Sequence, residues 1–127
     1  MTLEERELVI KDLCGRLPYG VKVKFGEGGA NVTLQSFMLN NFMMFDNVEI
    51  KSYLRPMKSM TEEERVQFES SSCVVWNDDI DTHTYEERKI YSQCLAFDWL
   101  NAHHFDYRGL IGKGLALEAP EDMYKTK

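Results

Sequence analysis

The sequence predicts an α+β fold with an N-terminal helix, a four-stranded antiparallel sheet or small SH3-like barrel, and packed C-terminal helices. One observation is a helix-start signal that recurs three times, at Thr2, Thr61 and Thr84. The other is a two-residue periodicity between the first two signals. Of the 127 residues, 43% are hydrophobic, which is enough for one core. We therefore expect a single domain whose helix, sheet and helical part cover residues 1–17, 18–57 and 58–127.

The N-terminal helix is predicted by a capping box and an apolar stripe. In Thr2-x-x-Glu5, hydroxyl and carboxylate each accept a hydrogen bond from the other residue's backbone amide. The apolar residues that follow recur mostly at three- and four-residue steps, the spacing of one helix face: Leu3, Ile10, Leu13, Cys14 and Leu17. Pro18 and Gly20 end the helix.

The sheet is predicted by apolar residues that alternate with polar ones. Val21, Val23 and Phe25 alternate with two lysines, as in a half-buried strand, and a glycine-rich turn follows. Three more short segments, separated by turn residues, complete an antiparallel meander, so that the four predicted strands cover residues 21–25, 32–35, 42–45 and 48–51. A meander of this size either curls into a small barrel or stays open under the helices.

Helices dominate the prediction after the sheet. A short, polar surface helix is expected over residues 61–69, and the longest helix over residues 85–103. A final short helix is predicted around residues 108–113, closed by Gly114 and followed by an extended tail. The apolar residues of the longest helix predict that it is buried along one face, at Ile90, Cys94 and Phe97.

Charge and hydropathy restrict the functional classes. The net charge is −6, and residues 61–90 alone hold nine Asp/Glu against three Lys/Arg, whereas a nucleic-acid binder normally presents a cationic surface. No apolar run approaches the roughly 18 residues of a membrane span, and no basic-then-apolar leader precedes the first helix. The three cysteines form no C-x-x-C pair and are expected to be reduced and buried. We therefore expect a cytoplasmic protein that does not enter a membrane.

Catalytic and metal-binding signatures are incomplete. Residues 77–83 begin like a calcium loop, but Thr82 replaces its glycine and Arg88 its bidentate glutamate. His103 and His104 would point about 100° apart on a helix, so they do not easily bind one metal together. No nucleophile motif or phosphate-binding loop is present. We therefore expect no catalytic residue, no metal and no cofactor, in a chain that is not an enzyme.

Three sequence blocks are long and distinctive. They read RLPYGVK at residues 16–22, YLRPMKSMTEEE at residues 53–64 and DWLNAHHFDYRGLI at residues 98–111. In these blocks the chain resembles an uncharacterised family of small proteins from phages and prophage-like elements of gut anaerobic bacteria. The resemblance implies a phage or mobile-element setting and no particular mechanism.

A non-catalytic accessory protein that binds an unknown host or phage protein is the function we expect. Tryptophan is a frequent binding hot spot, and acidic residues beside Trp76 would steer a basic partner. The apolar triplet at residues 74–76 either packs as a short strand or contacts a partner, which includes a second copy in a homodimer. The expected binding residues lie here and in the third block: Trp76, Asp78, Asp79, Asp81, His103, His104, Tyr107 and Arg108.

A nucleic-acid-binding module is the alternative function. The sheet would then present basic groups to phosphates and an aromatic ring, Phe42 or Tyr53, to a base. Such binding weakens steeply with salt, which a protein partner does not require. The basic residues on or beside the predicted sheet are Lys22, Lys24, Lys51 and Arg55.

Overall fold

The computed structural model describes residues 2–26, 31–45, 48–72 and 85–124 of the chain and, of residues 72 and 85–91, the backbone alone. The predicted combination of helices with a four-stranded sheet is confirmed. No helix within these ranges is both long and apolar enough to cross a membrane. In chain order the elements are α1 (Leu3–Arg16), β1 (Lys22–Phe25), β2 (Asn31–Thr33), α2 (Ser36–Met44), β3 (Ile50–Leu54), α3 (Glu62–Ser72), α4 (Tyr85–Ala102) and β4 (Ala116–Glu118).

Two helices begin at the predicted capping boxes. At the start of α1, the Thr2 hydroxyl accepts a hydrogen bond from the Glu5 amide at 3.1 Å, and the Glu5 carboxylate accepts one from the Thr2 amide at 2.9 Å. Thr61 and Glu64 make the same reciprocal pair at the start of α3, at 3.1 and 3.0 Å. The third predicted box begins at Thr84, which lies outside the described residues.

The sheet is mixed and open, in the order β2-β1-β3-β4. Strand β1 pairs antiparallel with β2 and β3, as predicted, whereas β4 pairs parallel with β3. The prediction of a purely antiparallel sheet is therefore wrong. Of the two forms that the sequence left open, a small barrel or an open sheet under the helices, the structure shows the open sheet. Strand β4 comes from the C-terminal tail. A strand that pairs parallel to β3 has to be reached through a long crossover connection, and this connection contains α3 and α4.

The third predicted strand, residues 42–45, is also wrong. This segment ends helix α2, whose buried residues Met38, Leu39 and Phe42 recur at helical spacing. A four-residue apolar run does not by itself distinguish a strand from a buried helix segment. The fourth predicted strand, residues 48–51, is displaced towards the C terminus and forms β3.

Helices α1 and α2 cover one face of the sheet. Their buried residues form one cluster with the inward residues of β1 and β3: Val9, Leu13, Val21, Val23, Met38, Leu39, Phe42, Ile50 and Leu54. A second cluster consists of Trp99 and Leu100 from the last turn of α4 and Phe105 from the segment after it, and Phe68 of α3 packs against this cluster. The opposite face of the sheet carries the partly exposed residues that alternate with the core residues.

The predicted burial of α4 is wrong for the residues that can be checked. Cys94 is exposed and Phe97 is half-exposed, while the side chain of Ile90 lies outside the described residues. Burial begins only at Trp99 and Leu100. Cys14 is exposed as well, so the expectation of buried cysteines fails for both of the cysteines that the structure describes.

The predicted short helix around residues 108–113 is a series of turns. The Asp106 carboxylate accepts hydrogen bonds from the amides of Leu110 and Ile111, at 2.8 and 3.0 Å. Gly114 ends the turns with a φ of +74°, a conformation that favours glycine. The extended tail predicted after it is strand β4.

Candidate functional site

Half of the residues expected to bind a protein cannot be placed. Trp76, Asp78, Asp79 and Asp81 all lie outside the described residues, as does the apolar triplet at residues 74–76. Their role stays a prediction. The other four expected residues are described, and the contacts of each are given below.

His104 is a buried residue. Its ring stacks on that of Tyr124 with centroids 3.8 Å apart. Burial, together with the positive charge of Arg16, lowers the pKa of His104 to about 4, so the ring is neutral at pH 7. His103 stacks instead on Trp99, and its Nδ1 lies 2.9 Å from the Trp99 carbonyl oxygen. The two adjacent histidines therefore lack a common exposed surface.

Arg108 and Tyr107 belong to a polar cluster that ties α1 to the segment after α4. Asp12 accepts hydrogen bonds from Nε of Arg16 at 2.8 Å and from Nε of Arg108 at 3.2 Å. Arg16 is fully buried and also donates to the Phe105 carbonyl at 2.6 Å. The Tyr107 ring lies within 5.3 Å of both guanidinium groups. These contacts tie α1 to the segment after α4, while Arg108 itself remains exposed, so its role in binding a partner stays a prediction.

The residues of the nucleic-acid alternative come together more closely. Lys22 and Lys24 of β1 and Lys51 and Tyr53 of β3 alternate with buried residues, so all four share the solvent-facing side of the sheet. We call these four residues the lysine face. Lys24 and Lys51 are direct cross-strand neighbours, an arrangement of like charges that destabilises a sheet.

Few groups neutralise the lysine face. Lys51 Nζ lies 3.7 Å from the Glu49 carboxylate. Because both side chains are partly exposed, this ion pair contributes little free energy. Lys22 Nζ lies 3.4 Å from the Thr33 hydroxyl, which carries no charge. The strand residues described on this face include no Asp or Glu. The face is therefore a small cationic surface on an acidic chain.

Arg55 does not join the lysine face. Its guanidinium makes two hydrogen bonds to the Glu64 carboxylate, at 2.6 and 2.7 Å, and lies 4.2 Å above the Phe105 ring. These hydrogen bonds lower the pKa of Glu64 to about 2. The pair joins the end of β3 to the first turn of α3, so Arg55 is engaged within the protein.

An open groove of about 970 Å³ runs beside this ion pair. Among the described residues, no group of three or more His, Cys, Asp or Glu side chains is placed to hold a metal ion. The Tyr124 hydroxyl in its wall accepts a hydrogen bond from the Lys22 amide at 2.8 Å and donates one to the Tyr53 carbonyl at 2.7 Å. Several side chains that wall the groove thus also join strands and helices. The residues that line it include Arg55, Ser59, Glu64, His103, Pro120 and Tyr124.

Among the described residues, the sequence predictions missed an exposed apolar surface. On α2, Phe37, Met43, Met44 and the following Phe45 are all at least half exposed, Met44 the most at 67%. Leu3 is also exposed, and it lies one turn before the α1 residue that binds the end of α2. We call these five residues the apolar surface. No residue from 28 to 45 is charged.

Helix α2 is held from its inner side and from its end. Met38, Leu39 and Phe42 pack in the core, while Arg6 of α1 donates hydrogen bonds to the carbonyls of Phe42 and Phe45, the latter at 2.7 Å. Large apolar side chains thus lie on both the inner and the outer side of the helix. The absence of charge over residues 28–45 was the sequence signal that could have revealed this surface.

Comparison with known proteins adds no relative. No protein-family model matches the chain, and no curated protein or solved structure is significantly similar to it. The resemblance to phage proteins therefore stays a prediction, and the function has to be argued from the geometry.

Proposed function

We propose that this chain is a non-catalytic accessory protein of a phage or related mobile element, which acts by binding a protein partner through the apolar surface of α2. One observation carries the proposal. Large apolar side chains on a helix are normally buried, yet in the single chain Phe37, Met43 and Met44 on the outer side of α2 face solvent. A partner on this side would complete the burial.

The composition of the apolar surface supports a protein partner. Interface centres are enriched in aromatic residues and methionine and depleted of charge, and this surface consists of two Phe, two Met and one Leu. Methionine side chains also adapt to the shape of what they contact. We further propose a cytoplasmic location, which the exposed, unpaired thiols of Cys14 and Cys94 support because disulfides are rare in that compartment.

Capture from a lysate of a phage-bearing host tests the proposal with three immobilised forms: wild type, Met44→Glu and Val66→Glu. Val66 is a matched control because it is 53% exposed and lies on a different helix, α3. Wild type and Val66→Glu are expected to retain the same protein, and Met44→Glu to lose it by at least about tenfold, since a charge must be desolvated at the contact. Equal retention by all three forms contradicts the proposal.

A second candidate function, binding of single-stranded nucleic acid, is favoured by the lysine face. The direct opposition of Lys24 and Lys51 costs stability in the free protein, and an anionic partner would relieve it. Tyr53 on the same face offers a ring on which a base can stack.

Salt-titrated binding to single-stranded DNA and RNA tests this second candidate. Replacement of Lys22, Lys24 and Lys51 by Gln is expected to abolish binding and its salt dependence. The control is the same exchange at three exposed lysines elsewhere on the protein, which removes equal charge: Lys11, Lys58 and Lys113. Equal loss in both variants, or no binding by the wild type, excludes the lysine face as a specific site.

A further inference from the structure

We infer that the partner on the apolar surface is a second copy of this chain, in a two-fold symmetric dimer formed through α2. The inference rests on the proposed function, in that it takes the outer side of α2 to be a protein contact. It adds the identity of the partner, which charge, contact area and the order of residues on α2 indicate.

The charge distribution favours self-association at this surface. In a two-fold symmetric contact both copies use the same patch, with residue i against residue j of the other copy and j against i, so a patch with a net charge repels its own copy. The chain carries a net charge of −6, yet residues 28–45 contain no charged residue. The contacting residues of α2 therefore carry no charge that repels the α2 of a second acidic copy. A basic partner would gain no attraction from this surface.

The exposed area also fits a dimer. A large side chain offers about 150–250 Å², so five residues exposed by half or more present roughly 500 Å² per chain. A standard interface buries about 800 Å² on each side. The neighbouring exposed polar residues of β2 and α2, which include Asn31 and Thr33, can supply the remainder. Strand β2 is an edge strand, and it lacks the charges that commonly protect such edges.

The order of residues along α2 suits a two-fold axis. Phe37 and Met44 lie two turns apart on the outer side of the helix, with the exposed Asn40 between them. If two copies of α2 pack antiparallel, Phe37 contacts Met44 of the partner subunit, and the axis passes near Asn40. An amide carries both donors and an acceptor, so two Asn40 side chains can bond to each other.

Sedimentation equilibrium and light scattering over a wide concentration range test the inference. The wild type is expected to reach twice the monomer mass of 14.8 kDa. Asn40→Asp places like charges across the axis and Met44→Glu buries a charge against Phe37 of the partner subunit, so each is expected to raise the dimer Kd by at least about tenfold. Val66→Glu, with the same added charge on α3, is expected to leave the Kd unchanged. Thermal melting by circular dichroism confirms that each variant folds.

The outcomes separate this inference from the proposed function. A wild type that is monomeric at every concentration overturns the dimer, and so does a dimer that none of the α2 substitutions weakens. If the wild type is monomeric but Met44→Glu still loses a captured protein, α2 binds a different partner and the proposed function stands. If neither the mass in solution nor the capture of a protein depends on Met44, both the dimer and the proposed function are wrong.

Discussion

The hydroxyl of Tyr124 joins two strands at the point where their direct pairing ends. The last paired residues of β1 and β3 at this end are Val23 and Ser52. One position further, the Lys22 amide donates to the Tyr124 hydroxyl, which in turn donates to the Tyr53 carbonyl. Burial raises the pKa of Tyr124 to about 12, so the hydroxyl keeps its proton and remains a donor at neutral pH.

Tyr124→Phe is expected to lower the free energy of unfolding by about 1–3 kcal/mol, because an amide and a carbonyl lose their partner in a part-buried position. Urea denaturation at neutral pH measures the loss. Tyr19→Phe, at an exposed tyrosine, is the control and is expected to change little. Equal effects of the two substitutions would show that the bridge contributes no stability.

His104 is expected to make stability depend on pH. Its pKa is about 4 in the folded protein and near 6.5 in the unfolded chain, so between these values the unfolded chain binds more protons. Stability should therefore fall as the pH falls from 6.5 towards 4, by about 2 kcal/mol between pH 7 and pH 5. Urea denaturation at the two pH values measures the difference.

His104→Asn is the variant that isolates this effect. Asparagine tolerates the positive φ of 65° at this position and does not titrate. The variant is expected to lose most of the difference in stability between pH 7 and pH 5. The account of His104 fails if the wild type and the variant respond to pH alike.

At the scale of elements, Arg6 connects the first two helices. Its guanidinium donates to two carbonyls at the C-terminal end of α2 and lies 4.3 Å over the Phe42 ring. Arg6→Ala is expected to cost about 1.5–3 kcal/mol of unfolding free energy, as for hydrogen bonds to a charged group. Lys11→Ala, at an exposed position of α1, is the control. Chemical denaturation of both variants measures the unfolding free energy. A similarly small decrease in both would contradict the role of Arg6 in connecting the two helices.

The elements that were predicted correctly are those that local chemistry determines. The Thr2 and Thr61 capping boxes mark real helix starts, and alternation places Val21 and Val23 inside and Lys22 and Lys24 outside. The pairing of β4 could not be predicted from local patterns, because its partner β3 lies more than sixty residues earlier in the chain. Helix α2 was missed because four apolar residues in a row satisfy the strand and the helix pattern equally.

The candidate sites show the same limit. Alternation alone assembles the lysine face, whereas the exclusion of Arg55 depends on the distant Glu64. Nothing local in the His103-His104 pair indicates that one ring is buried against Tyr124. The absence of charge over residues 28–45 marks the segment of α2, but which of its side chains are exposed follows only once the segment is known to be a helix.

For the whole molecule, charge and apolar exposure are segregated. Residues 61–90 hold an excess of six acidic over basic residues, whereas residues 28–45 hold no charge. Charge of one sign favours repulsion between copies, and we propose that another chain approaches at the uncharged part, where that repulsion is weakest. The central claim is therefore that the outer side of α2 is covered when the protein functions.

Methionine oxidation tests this claim most directly, because the chain contains its own controls. Met57 is 41% exposed and Met38 is 7% exposed, and the rate of oxidation by peroxide follows exposure. The wild-type chain is oxidised in an extract of the cells that produce it, and each methionine is assigned by tandem mass spectrometry. We predict that Met43 and Met44 oxidise slowly, as Met38 does, while Met57 oxidises fast. Oxidation of Met43 and Met44 at least as fast as that of Met57 would contradict the claim.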